Sequence, residues 1–244
     1  LVGTPLMTLF SFIYFGIRRK TAKSKLLYHK ILSTTSHILL RIIPGTRLIR
    51  RNPWNEDFRK PAVIICNHQS QFDLLCAIML NPKTVILTKD WVWHIDLTAD
   101  DGLDSGSLGR LIMRVGRGIA VDRYGNPVRG LIKAKKEVEK GNICFVFPEG
   151  TRSADSSILR FHKGAFHIAN ELKLDIVPVF IHGTGHVLQR NRYFLRTGKI
   201  YIETDKRVKH GEETFGTTVK EQRKNFEQYY KEKYNNIKIR EGYE

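Results

Sequence analysis

A histidine and an aspartate suited to proton transfer lie in the segment that runs from Asn67 to Asp73. An imidazole with one nitrogen held by a carboxylate keeps its other nitrogen available to accept a proton from a hydroxyl group. Residues five apart on a continuous helix point about 140° from each other, so His68 and Asp73 could not pair there. Ser70 and Asp73 form a helix-start pattern, which predicts that His68 precedes the helix and folds back toward Asp73. In a purely structural interpretation, Asp73 only stabilises the helix start.

A second set of polar residues follows an apolar run. In this set, Glu149 and Arg152 lie on either side of Gly150 and Thr151 in the sequence. Burying charged groups costs free energy unless they pair with each other or bind a ligand. Gly150 would let the backbone approach a ligand closely, and the forked guanidinium of Arg152 suits a phosphate group. A structural ion pair between Glu149 and Arg152 would explain the same residues.

Two further cations occupy comparable positions in the chain. Arg123 closes the run that starts at Gly118, and Lys163 lies near the start of a predicted helix. Taken alone, Arg123 is equally well explained as a surface charge. The shared position of these residues after apolar runs makes both candidates for binding an anionic group.

Between residues 61 and 204, short β-rich runs alternate with helical segments. The predicted strands are 62–66, 84–88, 119–121, 143–147, 176–181 and 199–203, and the predicted helices are 71–80, 107–114, 127–139 and 164–171. Such alternation predicts an α/β fold with a mixed, largely parallel sheet flanked by helices. Ligands bind beyond the carboxyl ends of the strands in such sheets, and the polar residues singled out above fall there.

The two ends of the chain differ from its middle. Residues 1–17 carry no charge and precede a basic cluster, the reverse of the charge order of a cleaved signal peptide. We expect residues 1–45 to form a membrane-associated pair of helices, with the second over 24–43, in or on one leaflet at the cytoplasmic face. Packing of both helices on the core is the alternative. We expect residues 46–244 to form the α/β domain, including a charged, solvated amphipathic helix over 219–234. Whether the chain is a fragment stays open.

Charge and cysteine content restrict the partners. The 244 residues include 41 Lys and Arg against 24 Asp and Glu, a net charge of +17 that favours nucleic acid, an anionic membrane or a phosphorylated substrate. Aromatic residues lie in apolar runs and do not alternate with basic ones, which argues against nucleic acid. The three cysteines have no C-x-x-C spacing and are expected to be reduced. No zinc-ligand spacing is present, since glycines separate His182 from His186, so neither a metal nor a cofactor is predicted.

Four blocks of the chain resemble those of the glycerolipid acyltransferase family, and the resemblance covers residues 45–205. The N-terminal pair is similar to the membrane-inserting pair of bacterial members. The blocks are N-H-x4-D at Asn67, His68 and Asp73, the glycine-led run 118–123, F-P-E-G-T-R-S at 147–153, and V-P-V at 177–179. The third block is the most specific. Ala120 departs from the family by replacing an aromatic residue. Residues 96–109 form a longer and more acidic segment than the family predicts, expected to be a mobile loop near the substrate groove.

The resemblance implies direct acyl transfer from acyl-CoA or acyl carrier protein to the free hydroxyl of lysophosphatidic acid. His68, held by Asp73, would be the general base. Arg123 and Arg152 would hold the acceptor phosphate, with Lys163 a weaker candidate, while Glu149 would orient an arginine or the acceptor. Backbone amides near Gly150 could stabilise the oxyanion. The partners implied are membrane lipids, the thioester donor and the lysophospholipid acceptor.

Other acceptors stay open, namely glycerol-3-phosphate, another lysophospholipid or an amino-acid lipid. A different class, a non-enzymatic basic protein that binds membrane or nucleic acid, would not need His68, Asp73 and Glu149 at strand ends. The sequence leaves the acyl-chain length, the choice of donor and the oligomeric state undetermined.

Overall fold

A computed structural model describes residues 22–89, 118–121, 127–189 and 194–242 of the chain. Its helices are α1 (Ala22–Ile42), α2 (Phe72–Leu80), α3 (Pro127–Glu139), α4 (Gly164–Glu171), the single turn α5 (Thr184–Val187) and α6 (Val219–Glu241). Its strands are β1 (Thr46–Arg51), β2 (Ala62–Cys66), β3 (Thr84–Lys89), β4 (Gly118–Val121), β5 (Ile143–Val146), β6 (Asp175–His182) and β7 (Gly198–Thr204). The predicted α/β fold is confirmed.

The seven described strands form one sheet in the order β1-β7-β6-β2-β5-β3-β4. The five strands β2 to β6 run parallel to one another, whereas β7 is antiparallel to β6 and β1 is parallel to β7. Strands β5, β2 and β6 are therefore neighbours whose carboxyl ends meet at one edge. Residues that directly follow these three strands are brought together there.

Apolar residues of β2 point alternately to the two faces of the sheet, as a strand requires. Val63 and Ile65 join a core cluster with side chains of α4 and α6. Ala62, Ile64 and Cys66 join a second cluster with side chains of α1 and α2. All five residues of β2 are fully buried, so this strand has no polar face.

Strand β1 was not predicted from the sequence. Three of its six residues, Arg47, Arg50 and Arg51, are arginines, and it forms an edge of the sheet. Charged side chains on an edge strand protect it from pairing with other chains, but they also hide the apolar alternation by which a strand is recognised. The predicted helix over 107–114 and the segment 96–109 lie outside the described residues.

Helix α6 begins at Val219, as predicted for the amphipathic helix over 219–234, but it is longer and packs on the sheet. It extends to Glu241 and buries one stripe of side chains, Phe226, Tyr230, Tyr234 and Ile237, against the sheet. A capping box between Thr218 and Glu221 fixes its start. The stripe escaped the sequence analysis because two of its four members are tyrosines within a strongly charged run.

Helix α1 begins and ends within two residues of the predicted 24–43 and packs on α2. Tyr28, Leu32 and Leu40 are buried, and the Ser33 hydroxyl donates to the Met79 carbonyl at 3.2 Å. Residues 1–21 lie outside the described part of the chain, so the membrane-associated pair and the division at residue 45 stay predictions. Among the described residues, no helix has both the length and the hydrophobicity needed to cross a bilayer.

Strand β6 is central yet carries Pro178, which has no N–H to donate to a neighbouring strand. Next to this residue, the Tyr230 hydroxyl of α6 bridges β6 and β2. It donates to the carbonyl of Ile65, the β2 partner of Pro178, at 2.6 Å and accepts the N–H of Val179 at 3.1 Å. The ring stacks on Phe180 with centroids 4.3 Å apart. A side chain from α6 thus joins the two strands on which the polar residues depend.

Replacing Tyr230 by phenylalanine keeps the stacked ring and removes the hydroxyl. The buried Ile65 carbonyl and Val179 N–H then lose a partner, and we expect the free energy of unfolding to fall by about 1–3 kcal/mol. Urea unfolding monitored by circular dichroism measures the change. An unchanged unfolding midpoint would show that the hydroxyl does not bridge these strands.

Candidate active site

The Asp73 carboxylate lies in the first turn of α2 and is fully buried. Oδ2 accepts hydrogen bonds from His68 Nδ1 at 2.8 Å, from the Gln69 N–H at 2.6 Å and from the Ser70 N–H at 2.8 Å. Oδ1 accepts the Thr184 hydroxyl at 2.6 Å. With four donors directed at it, the carboxylate acts as an acceptor and holds the His68 ring by Nδ1.

The His68 side chain is 15% exposed and lies in the turn between β2 and α2. Its ring stacks on Phe147, with centroids 4.0 Å apart and planes at 19°. Because Nδ1 donates to Asp73, the lone pair of the neutral ring is on Nε2, the nitrogen directed away from the carboxylate. A histidine oriented in this way can accept a proton from a hydroxyl group. The predicted pairing of His68 with Asp73 is present in the structure.

The start of the helix has the hydrogen bonds that the prediction of Ser70 as N-cap requires. Helix α2 begins at Phe72, and the residue before it, Gln71, makes no side-chain capping bond. The Ser70 hydroxyl accepts the Phe72 N–H at 3.4 Å, as an N-cap side chain does, and donates to the Leu188 carbonyl at 2.8 Å. The carboxylate of Asp73 accepts the Ser70 N–H in return, so both halves of the capping pattern form. The bond to Leu188 could not be seen in the sequence.

Asn67 directs the chain out of the sheet just before His68. Its side-chain amide donates to the Ile181 carbonyl at 2.7 Å, and its oxygen accepts the Ile181 N–H at 2.9 Å. The side chain thereby continues the pairing of β2 with β6 by one residue, although the backbone has already turned away. His68 is left at the carboxyl edge, where the sequence pattern had placed it.

Glu149 follows β5 and is 2% exposed. Its Oε1 accepts the His68 N–H at 2.9 Å and its Oε2 accepts the Leu159 N–H at 3.0 Å. Burial raises the pKa of this carboxyl group to about 8, although both hydrogen bonds act in the opposite direction. Each oxygen accepts a backbone N–H, so Glu149 supports the backbone of His68.

The other predicted residues are distributed along the connection that contains Glu149. Gly150 has a positive φ of 64° and closes a turn with Phe147. Arg152 is half-buried and immediately precedes Ser153, whose N–H donates to the His68 carbonyl at 2.8 Å. Thr151 is exposed, and Lys163 is exposed just before α4. Arg123 lies outside the described residues, and these binding roles stay predictions.

Thr184 is a member of the site that the sequence analysis missed. It follows β6 after Gly183, whose positive φ of 83° turns the chain back toward Asp73. Its position just past a buried parallel strand is the one feature of the sequence that points to it. Gln69 was also missed. Its bond to Asp73 comes from the backbone N–H, which the residue type does not indicate. Within the described ranges, no group of three His, Cys, Asp or Glu side chains could hold a metal ion.

Comparison with known proteins gives consistent results. A family model described as Acyltransferase matches residues 43–182. The 1-acyl-sn-glycerol-3-phosphate acyltransferase of Escherichia coli is 29% identical over 177 residues, which cover 71% of this chain and 68% of that protein. The protein of the same name from Cocos nucifera is 30% identical over 148 residues, 58% of this chain and 44% of that protein. The chain spans about half the length of its nematode and plant relatives.

A solved structure shares the fold. The lysophosphatidic acid acyltransferase PlsC from Thermotoga maritima aligns with a TM-score of 0.71 over 97% of each chain, at 21% sequence identity. At this identity the likeness concerns the fold alone.

Replacing Glu149 by glutamine tests its role through the pH dependence of stability. Between pH 4.5, the ordinary value for glutamate, and the native pKa of about 8, the folded protein holds a proton that the unfolded chain has released. Raising the pH through this window therefore favours unfolding, by up to about 1.4 kcal/mol per pH unit for this group. We expect the stability of the wild type relative to Glu149→Gln to fall as the pH rises and to level off above pH 8. Urea unfolding over this range measures the difference, and a difference that does not change with pH would contradict the assignment.

Proposed function

This chain belongs to the acyltransferase family, and we propose that it transfers a fatty acyl group from a thioester to the free hydroxyl of lysophosphatidic acid, forming phosphatidic acid. The observation that carries the proposal is the buried Asp73 carboxylate that holds Nδ1 of His68 at 2.8 Å. Relatives that match most of the catalytic domain are named for this reaction.

In the proposed reaction, Nε2 of His68 removes the proton of the acceptor hydroxyl as its oxygen bonds to the thioester carbonyl carbon. The carbon–sulfur bond then breaks, and its electron pair leaves with the sulfur. The proton held by His68 passes to the thiolate or to solvent, so the products are an ester and a free thiol. No acyl-enzyme is needed, because a thiolate is a good leaving group.

Backbone groups near Gly150 are the proposed stabilisers of the oxyanion. The Gly150 N–H already donates to the Phe147 carbonyl at 3.0 Å. The next amide, that of Thr151, donates to none of the described residues and lies on the same turn. We assign the oxyanion contact to Thr151 for this reason.

The acceptor phosphate is assigned to Arg152, Arg123 and, more weakly, Lys163. Arg152 is adjacent to the residue that bonds the His68 backbone, so its guanidinium extends from the same turn. A forked guanidinium matches the geometry of a phosphate group. The fixed distance between such a clamp and the base would orient the acceptor hydroxyl for attack.

The proposed location is the cytoplasmic face of the membrane, where a lysophospholipid is available. Four apolar side chains of α1 are exposed on its outer side: Leu26, Leu27, Ile38 and Ile42. Together with the net charge of +17, this surface suits an anionic lipid bilayer. The donor is an acyl-CoA or an acyl carrier protein, because the chemistry of the site requires only a thioester.

Replacing His68 by alanine removes the proposed base and keeps the backbone bonds to Glu149 and Ser153. We expect turnover to fall by about 10²- to 10⁴-fold, the usual contribution of general base catalysis. The assay is formation of phosphatidic acid from lysophosphatidic acid and a long-chain acyl-CoA in detergent, repeated with an acyl carrier protein donor. His210→Ala is the matched control, since the His210 side chain is exposed and its backbone N–H, which the substitution keeps, donates to Asp175 at the opposite end of β6. Equal turnover by His68→Ala and wild type would refute the mechanism.

A further inference from the structure

A second buried polar cluster lies behind the proposed active site, and one of its members, Tyr234, lies outside the residues that the family model matches. The Tyr234 hydroxyl of α6 accepts a hydrogen bond from the side-chain amide of Gln69 and is 2.8 Å from Nδ1 of His182. The three side chains are exposed by only 1–3%. Gln69 also donates to the Ser156 carbonyl at 3.4 Å. This cluster joins α6 to the segments after β2 and β6.

The hydrogen-bond directions in the cluster follow from its members. Gln69 Nε2 can only donate, so the Tyr234 oxygen accepts from it and is free to direct its own proton to Nδ1 of His182. That bond requires an unprotonated Nδ1, and burial lowers the pKa of His182 to about 4. Tyr234 can therefore bond both partners at once.

Both partners of Tyr234 adjoin donors of the Asp73 carboxylate. The backbone N–H of Gln69 donates to Oδ2 of Asp73 at 2.6 Å. His182 ends β6, and two residues later Thr184 donates to Oδ1 at 2.6 Å. The two turns that hold the two oxygens of Asp73 are thus connected to each other through one hydroxyl group.

Packing alone does not explain these polar residues. Oε1 of Gln69 is buried with no hydrogen-bond partner in the described part of the chain, a cost that an apolar side chain of similar size would avoid. The surroundings are also closely fitted. A Cβ atom on Gly185 would lie 2.6 Å from the Ser156 hydroxyl and 3.3 Å from Cβ of Gln69, so a larger residue there would require the Ser156 side chain to move.

We propose that Tyr234 is a positioning residue for acyl transfer, whose hydroxyl ties the turn after β2 to the turn after β6 and so fixes Asp73 and His68. It touches neither substrate and acts through Gln69 and the β6 turn. The expected fall in kcat rests on the proposed function, whereas the link between the two turns rests on the geometry alone. Helix α6 is in this view part of the active site, although it lies outside the family match.

The test is Tyr234→Phe, which keeps the ring and removes the hydroxyl. We expect kcat to fall by roughly 10- to 100-fold, the effect of misplacing a reacting group, with little change in the KM of either substrate. Tyr229→Phe is the matched control, because it removes a hydroxyl from the same helix, and among the described residues that hydroxyl bonds Asp205 alone. The control should keep the kcat of the wild type. A Tyr234→Phe variant that loses stability but keeps kcat would overturn the proposal.

A second measurement does not depend on catalysis. Hydrogen exchange of the peptide that contains the Gln69 and Ser70 amides should be faster in Tyr234→Phe than in Tyr229→Phe. Equal exchange in the two variants would overturn the proposal even if the protein is an active enzyme. If the wild type formed no phosphatidic acid, the proposed function would fail while the exchange comparison would still decide the role of Tyr234.

Gln69→Leu tests the route of the effect. It removes the side-chain partner of Tyr234 and keeps the backbone N–H that bonds Asp73. If the two side chains act through their common bond, the double variant should have a kcat close to that of the more affected single variant. Independent, multiplicative losses would contradict action through Gln69.

Discussion

A buried carboxylate loses its hydration and is stable only if hydrogen bonds replace it. For Asp73 the replacement comes from four donors on two segments, namely the turn after β2 and the turn after β6. Because these donors must reach the Asp73 carboxylate together, its hydrogen bonds fix the positions of both turns. Since one of the four donors is Nδ1 of His68, the same requirement orients the ring and leaves Nε2 available for chemistry.

The order of the strands makes this convergence possible. Strands β5, β2 and β6 are parallel neighbours, so their carboxyl ends deliver Glu149, His68 and Thr184 to one edge of the sheet. Asn67 and Glu149 hold the His68 backbone from its two sides. Helix α6 then closes the opposite side through Tyr230 and Tyr234, which bond the strands and the turns respectively. This edge of the sheet is therefore supported by a helix that begins more than 150 residues after His68 in the chain.

Local patterns in the sequence predicted the parts of the site that depend on short separations. The pairing of His68 with Asp73 could be inferred because both residues belong to one turn and a helix start. The partners of Ser70 and Glu149 could not be inferred, since Leu188 and the His68 backbone reach them only after the sheet has formed. Strand β1 and the buried face of α6 were hidden by their charged composition, which says little about the few apolar side chains that decide packing.

The tautomer of His68 tests the central claim most directly, because base catalysis requires the proton on Nδ1 and the lone pair on Nε2. Selective ¹⁵N labelling of histidine, with the His68 resonances assigned from their loss in His68→Ala, distinguishes the two nitrogens at alkaline pH. The account predicts a protonated Nδ1 and an unprotonated Nε2 in the neutral ring, a preference that Asp73→Asn weakens. A neutral ring protonated on Nε2 would contradict the account, since it could not accept the proton of an acceptor hydroxyl at that position.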